Sequence, residues 1–173
     1  MGISFLERIK LHFTASKRYN RAQIIEGNRM KVLGVDLKSN DATLCLLSLV
    51  DGVFHIPDCR SRRLTLADTS AKGLKNFQST FAKLAADYKV DAVIIRQRQS
   101  KGKFAGSAIG FKLEAAIELI DDLDVIVFSP TDIKESLRKN PLAVPFSETG
   151  LKQFQEPAFT TAYAWLMKNE HEA

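Results

Sequence analysis

Between Asp91 and Glu114 the chain carries Arg96, Arg98, Lys101, Lys103 and Lys112, and no acidic residue. Such a run is suited to holding phosphate. Gly102, Gly106 and Gly110 let the backbone approach an anion closely, the start of a following helix aims amide N–H groups at it, and Phe104 can stack on a base. It is not a P-loop, because Gly-x-x-x-x-Gly-Lys-Ser/Thr is absent. The competing reading is a surface loop whose basicity is incidental, with Gly106 and Gly110 serving close helix–sheet packing. Arg60, Arg62 and Arg63 form a second basic spot, read as a solvated edge that resists strand addition. Glu114 and Glu118, at i,i+4, read as the solvated face of a helix. His12, His55 and His171 are scattered without ligand spacing, which supports neither zinc nor a Ser-His-Asp arrangement. Phe77, Phe81, Phe111, Phe154 and Trp165 fall at core spacing and read as packing residues.

The elements that position these groups are clearly punctuated. Lys31–Leu37 is an apolar run containing Asp36, followed by the turn Ser39-Asn40-Asp41 and a second strand, Ala42–Val50. Asp51-Gly52 signals a hairpin into a third strand, interrupted at Pro57-Asp58 and resuming through Arg60–Leu66. Tight turns make these three strands antiparallel. Leu74, Phe77, Phe81, Leu84 and Tyr88 then recur at helical spacing, so 70–88 is expected to be an amphipathic helix. A buried strand Val90–Ile95, a helix Phe104–Asp122 and a strand Val125–Phe128 follow. Ser129-Pro130 opens a third helix, and a long last helix from Ser147 is expected to kink or break at Pro157. The crossovers make the later strands parallel. The expected fold is α/β: a five-stranded mixed sheet, order 3-2-1-4-5, with helices on both faces, as in the ribonuclease H-like fold.

The 173 residues suit one domain, and the two cysteines, Cys45 and Cys59, make neither a CxxC pair nor a disulfide framework. No apolar run approaches membrane-spanning length, and the expected compartment is reducing cytoplasm. The formal charge of +5 suggests nucleic acid at first sight. Its distribution narrows the suggestion. Residues 1–29 hold six basic groups against Glu7 and Glu26, whereas 30–173 hold 19 against 18. We therefore expect 1–29 to be a basic extension, disordered or preceding the true start at Met30, and 30–173 to be a single near-neutral domain.

Val32-Leu33-Gly34-Val35-Asp36, with its polar turn and second strand, resembles the opening of RuvC-type Holliday-junction resolvases and their YqgF relatives. Ile94–Ala116 and Phe128-Ser129-Pro130-Thr131 resemble their later segments. More closely, 30–168 resembles a bacterial family known only as domain-of-unknown-function family 3010. The runs Gln99–Gly106, Gly110–Ala116 and Pro145–Lys152 carry that likeness. Resolvase-like nucleases hold Mg²⁺ or Mn²⁺ with carboxylates from the first strand, the fourth strand and the final helix. The resemblance places Asp36 at the first position and Glu156 on the final helix, with the further acidic position near Phe159. At the fourth-strand position stands Arg96, where a Glu would be required. The expectation is a depleted metal site in which Arg96 forms an ion pair with Asp36. The domain would then bind phosphates of branched or single-stranded nucleic acid through Arg96, Arg98, Lys101, Lys103 and Lys112, without efficient catalysis. The alternatives are a metal-dependent, structure-specific endonuclease using Asp36 and Glu156, with Glu148 or a phosphate completing the shell, and a protein-interaction scaffold.

Overall fold

A computed structural model describes residues 29–171. The expected basic extension therefore lies outside the described residues, apart from Arg29, which opens the first strand opposite Val50. Strand β1 (Arg29–Lys38) and strand β2 (Asp41–Val50) pair antiparallel over their whole length. Asp51 and Gly52, both at positive φ, turn the chain into β3 (Val53–His55). Pro57-Asp58 interrupts the edge as expected. β3 pairs with Ser48–Val50, whereas β4 (Arg63–Thr65) pairs with Asp41–Thr43 at the other end of β2. β5 (Ala92–Arg96) lies parallel to β1, and β6 (Val125–Phe128) parallel to β5. Among the described residues the order is β3-β2-β1-β5-β6 with β4 also on β2, six strands where five were expected.

Helix α1 (Ala71–Asp87) is capped by Ser70, whose hydroxyl accepts from the Gly73 amide, and buries Phe77, Phe81 and Leu84. Helix α2 spans Ala108–Glu118, shorter at both ends than the spacing suggests. At its start, the Gly106 amide donates to the Gln99 carbonyl at 2.8 Å, and Gln99 and Ala105 form a parallel bridge. Those bonds fold Phe104 into a loop, and Ser107 becomes the cap. Helix α3 (Pro130–Lys139) begins as its Ser129 cap and first-turn proline dictate. The long last helix is corrected most. Two 3₁₀ turns, Phe146–Glu148 and Gln153–Gln155, precede α4 (Glu156–His171). Pro157 neither kinks nor breaks that helix: it sits in the first turn, where its missing N–H has no helical partner to lose.

Alternate residues of the central strands serve two cores. Leu33, Val35, Leu44, Val93 and Ile95 pack under α1 and α2, while Val32, Cys45, Leu47 and Ile94 pack against α3 and α4. Burial on both faces is why β1 and β5 read as unbroken apolar runs. Helix α4 lies unusually close to β1. A Cβ at Gly34 would stand 2.1 Å from the Ala158 carbonyl oxygen and 2.9 Å from Ala162 Cβ. Gly34 thus allows the N-terminal turns of α4 to descend over the end of β1 that carries Asp36. Both cysteines are free, and burial pushes the Cys45 thiol up to about 12, leaving it unreactive.

Candidate nucleic-acid interface

The parallel strands β1 and β5 are paired through Val35 and Ile95, so Asp36 and Arg96 follow as neighbours on the α4 face of the sheet. They do not form the expected ion pair: among the described residues, Asp36 is in none. Burial raises the Asp36 carboxyl above the ordinary aspartate value, against the weaker opposing attraction of Arg96, then Lys38 and Arg98. Arg96 itself makes no ion pair among the described residues and keeps part of its side chain in solvent. Its charge stands at the strand end, where it acts on Asp36.

Arg98, two residues on, is packed into the domain. Its side chain is only 11% exposed, and its Nη2 donates to Glu114 Oε2 at 3.1 Å. The guanidinium lies 4.3 Å from the Phe111 ring centroid. It also lies against bare Gly110, where a Cβ would come within 1.9 Å of Nη1. Nε and Nη1 are buried without a hydrogen-bond partner. Arg98, expected among the phosphate contacts, thus has its Nη2 engaged by Glu114, and Glu114 leaves the expected solvated face. Arg98 fastens the loop to α2. Sequence reasoning missed this linkage, although the i,i+4 spacing of Gly110 and Glu114 puts a gap and a carboxylate on one helical face.

The rest of the loop faces solvent. Lys101 and Lys103 are exposed, Phe104 is 79% exposed, and Lys103 Nζ lies 5.8 Å from the Phe104 ring centroid. Lys112 is exposed on α2. Ser107 Oγ donates to the Ser39 carbonyl at 3.2 Å, tying the loop to the β1–β2 turn. A cleft of about 360 Å³ opens between Gln97–Lys101 and Pro130 at the start of α3. Cations, a loop with a fixed base and a helix start are thus gathered at the carboxyl ends of parallel strands, where open sheets bind ligands.

Among the described residues, the remaining carboxylates are not grouped as a two-metal centre requires. Glu156 Oε2 accepts from Gln153 Nε2 at 2.5 Å, while Gln155 Nε2 donates to the Leu44 carbonyl at 2.9 Å. The further position on α4 is Phe159, buried among Phe146 and Tyr163. Among the described residues, no three His, Cys, Asp or Glu side chains are grouped to hold an ion. The charges acting on Asp36 are cationic, which opposes rather than recruits a divalent metal. The donor set does not fit the metal pair that the resemblance implies.

A family model described as "Protein of unknown function (DUF3010)" matches residues 30–165. The chain belongs to the DUF3010 family. A search of curated proteins gives no match for it. Among solved structures, this DUF3010 chain is similar to Thermus thermophilus RuvC, with a TM-score of 0.64 at 12% identity over 83% of this chain and 97% of that one. It is similar also to T. thermophilus RuvC in complex with a Holliday junction substrate, with a TM-score of 0.63 at 12% identity over 82% and 96%. At that identity the likeness establishes the ribonuclease H-like fold, with the DUF3010 loop and its anchor set into it. No helix among the described residues is long and apolar enough to cross a membrane.

Proposed function

We propose that the DUF3010 domain binds phosphate groups of branched or single-stranded nucleic acid through the Arg96–Ser107 loop, without efficient cleavage. The observation that carries this reading is the division of labour within the loop. Arg98 is buried against Phe111 and Glu114 and holds the backbone, while Lys101 and Lys103 are exposed near exposed Phe104 and half-buried Arg96 stands at the strand end. A fixed, cationic loop with an exposed aromatic suits a polyanion bearing bases. The similar RuvC structure holds a Holliday junction substrate, which makes a four-way junction the natural first probe. The poor fit of Asp36 and Glu156 to a metal pair is the ground for a binding rather than a cleaving role.

The test is fluorescence anisotropy with a labelled four-way junction and a labelled single strand at low salt. Binding is expected for the wild type, with loss on Lys101→Ala/Lys103→Ala. No binding of either probe by the wild-type domain would overturn the reading.

A further inference from the structure

Phe154 and Arg63 were expected to be, respectively, a packing residue and a solvated edge charge, and neither is simply that. Phe154 is 41% exposed and Arg63 Cζ lies 4.6 Å from its ring centroid. Arg63 Nε is also 3.8 Å from Asp41 Oδ2, yet its side chain remains 46% exposed. Arg60 behaves differently: its Nη1 is bound by Asp87 at 2.6 Å, away from this platform. Phe154 belongs to the 3₁₀ turn immediately before α4, and Gln155 fixes that turn by its bond to the Leu44 carbonyl.

The sheet register relates this stacked pair to the basic loop. Arg63 pairs with Thr43, and Thr43 pairs with Asp36. Directly opposed residues share a face, so Arg63, Thr43 and Asp36 form one row, and Arg96 continues it on β5. From β4 through β2 and β1 to β5 is three strand spacings, about 14 Å. The row therefore has a cation at each end and a half-buried carboxylate between them. A compact anion can occupy only one end, and the Asp36 carboxylate repels a phosphate from the middle. A stacked nucleic-acid strand advances about 3.4 Å per nucleotide, so about four steps, a stretch of roughly five nucleotides, reach both ends.

We propose that Arg63 and Phe154 form a second nucleic-acid contact, in which the Phe154 ring stacks on a base and Arg63 meets a phosphate of the same strand held by the Arg96–Ser107 loop. This rests on the nucleic-acid reading of that loop and extends it to a strand of about five nucleotides or more.

The test uses labelled single-stranded oligonucleotides of two, four, eight and twelve nucleotides with the full chain. Wild-type affinity should rise steeply once both ends of the row are bridged. Phe154→Ala should weaken the twelve-mer by about five-fold or more, the least expected for one lost base stack, and leave the two-mer unchanged. Arg63→Gln, which keeps the strand pairing and removes the charge, should lower the salt dependence of twelve-mer binding by about one ion. It also serves if Phe154→Ala does not fold. Lys101→Ala/Lys103→Ala should weaken the longer oligonucleotides alike. Wild-type affinity in Arg63→Gln and Phe154→Ala, with loss in the lysine variant, would overturn the second contact and leave the loop reading intact. No binding of any length by the wild type would overturn both.

Discussion

Arg98 Nη2 and Glu114 Oε2 stand 3.1 Å apart with side chains 11% and 17% exposed, and this pair anchors the basic loop to α2. Removing one partner strands a largely buried charge. Glu114→Ala should cost about 3–5 kcal/mol. Glu118→Ala, one turn further along the same helix and exposed, should stay within about 0.5 kcal/mol. Replacing both partners, as Arg98→Met with Glu114→Leu, should recover much of the loss because no unpaired charge remains. Urea unfolding of the three variants beside the wild type checks this; equal costs for Glu114→Ala and Glu118→Ala would contradict the anchor.

Two glycines should differ in how badly they tolerate a methyl group. At Gly110 the obstructing atom is Arg98 Nη1, at 1.9 Å from the added Cβ, the end of a flexible side chain. Gly110→Ala should cost about 1–3 kcal/mol and dislodge the guanidinium from Phe111. At Gly34 the obstruction is the Ala158 carbonyl at 2.1 Å, which moves only with α4 itself. Gly34→Ala should therefore be the more damaging of the two, and thermal melts that rank them in reverse would contradict the close α4 packing.

Much of this was legible in the chain. Asp51-Gly52, Pro57-Asp58 and Ser129-Pro130 act through local backbone chemistry, and the hairpin, the broken edge strand and the start of α3 fall where those residues put them. Asp36 and Arg96 came together at the strand ends because parallel register follows from the crossover. Where the expectations failed, long-range contacts decided. Helical spacing runs through Phe104, yet the Gly106–Gln99 bond captures that segment as a loop. Phe154 has core spacing, but Gln155's bond to Leu44, 111 residues earlier in sequence, fixes the turn on which the ring is left at the surface. By residue type Arg98 matches its neighbours in the basic run, and only its fit against Gly110 and Glu114, formed in the fold, sets it apart.

Asp36 should make the fold less stable at neutral pH than an amide would. Burial raises its carboxyl above the ordinary aspartate value, so the folded state holds the proton more tightly than the unfolded chain. Stability is then highest below the ordinary aspartate value and is lost as pH rises through the window up to the raised folded value. Asp36→Asn removes this loss and should raise Tm at pH 7 by about 2 °C or more, with the gain shrinking in acid. A lower Tm for Asp36→Asn at pH 7 would show that the cations nearby outweigh burial after all.

Salt should act on the complex as counterion release requires. If Lys101 and Lys103 each meet a phosphate, their joint replacement by alanine should reduce the slope of log K against log salt by about two, whereas Lys139→Ala, bound to Glu135 at 2.8 Å, should leave it unchanged. Titrations at several salt concentrations provide the slopes, and identical slopes for both variants would remove the two lysines from the interface.

The central claim, that a fixed cationic loop on this DUF3010 domain receives nucleic acid, is tested most directly by one titration. A labelled four-way junction is titrated at low salt with the wild-type chain and with Lys101→Ala/Lys103→Ala, both verified as folded. Saturable binding by the wild type and a loss of about ten-fold or more in the variant is the predicted result. Absent binding in the wild type, or equal affinity in the two proteins, would contradict it.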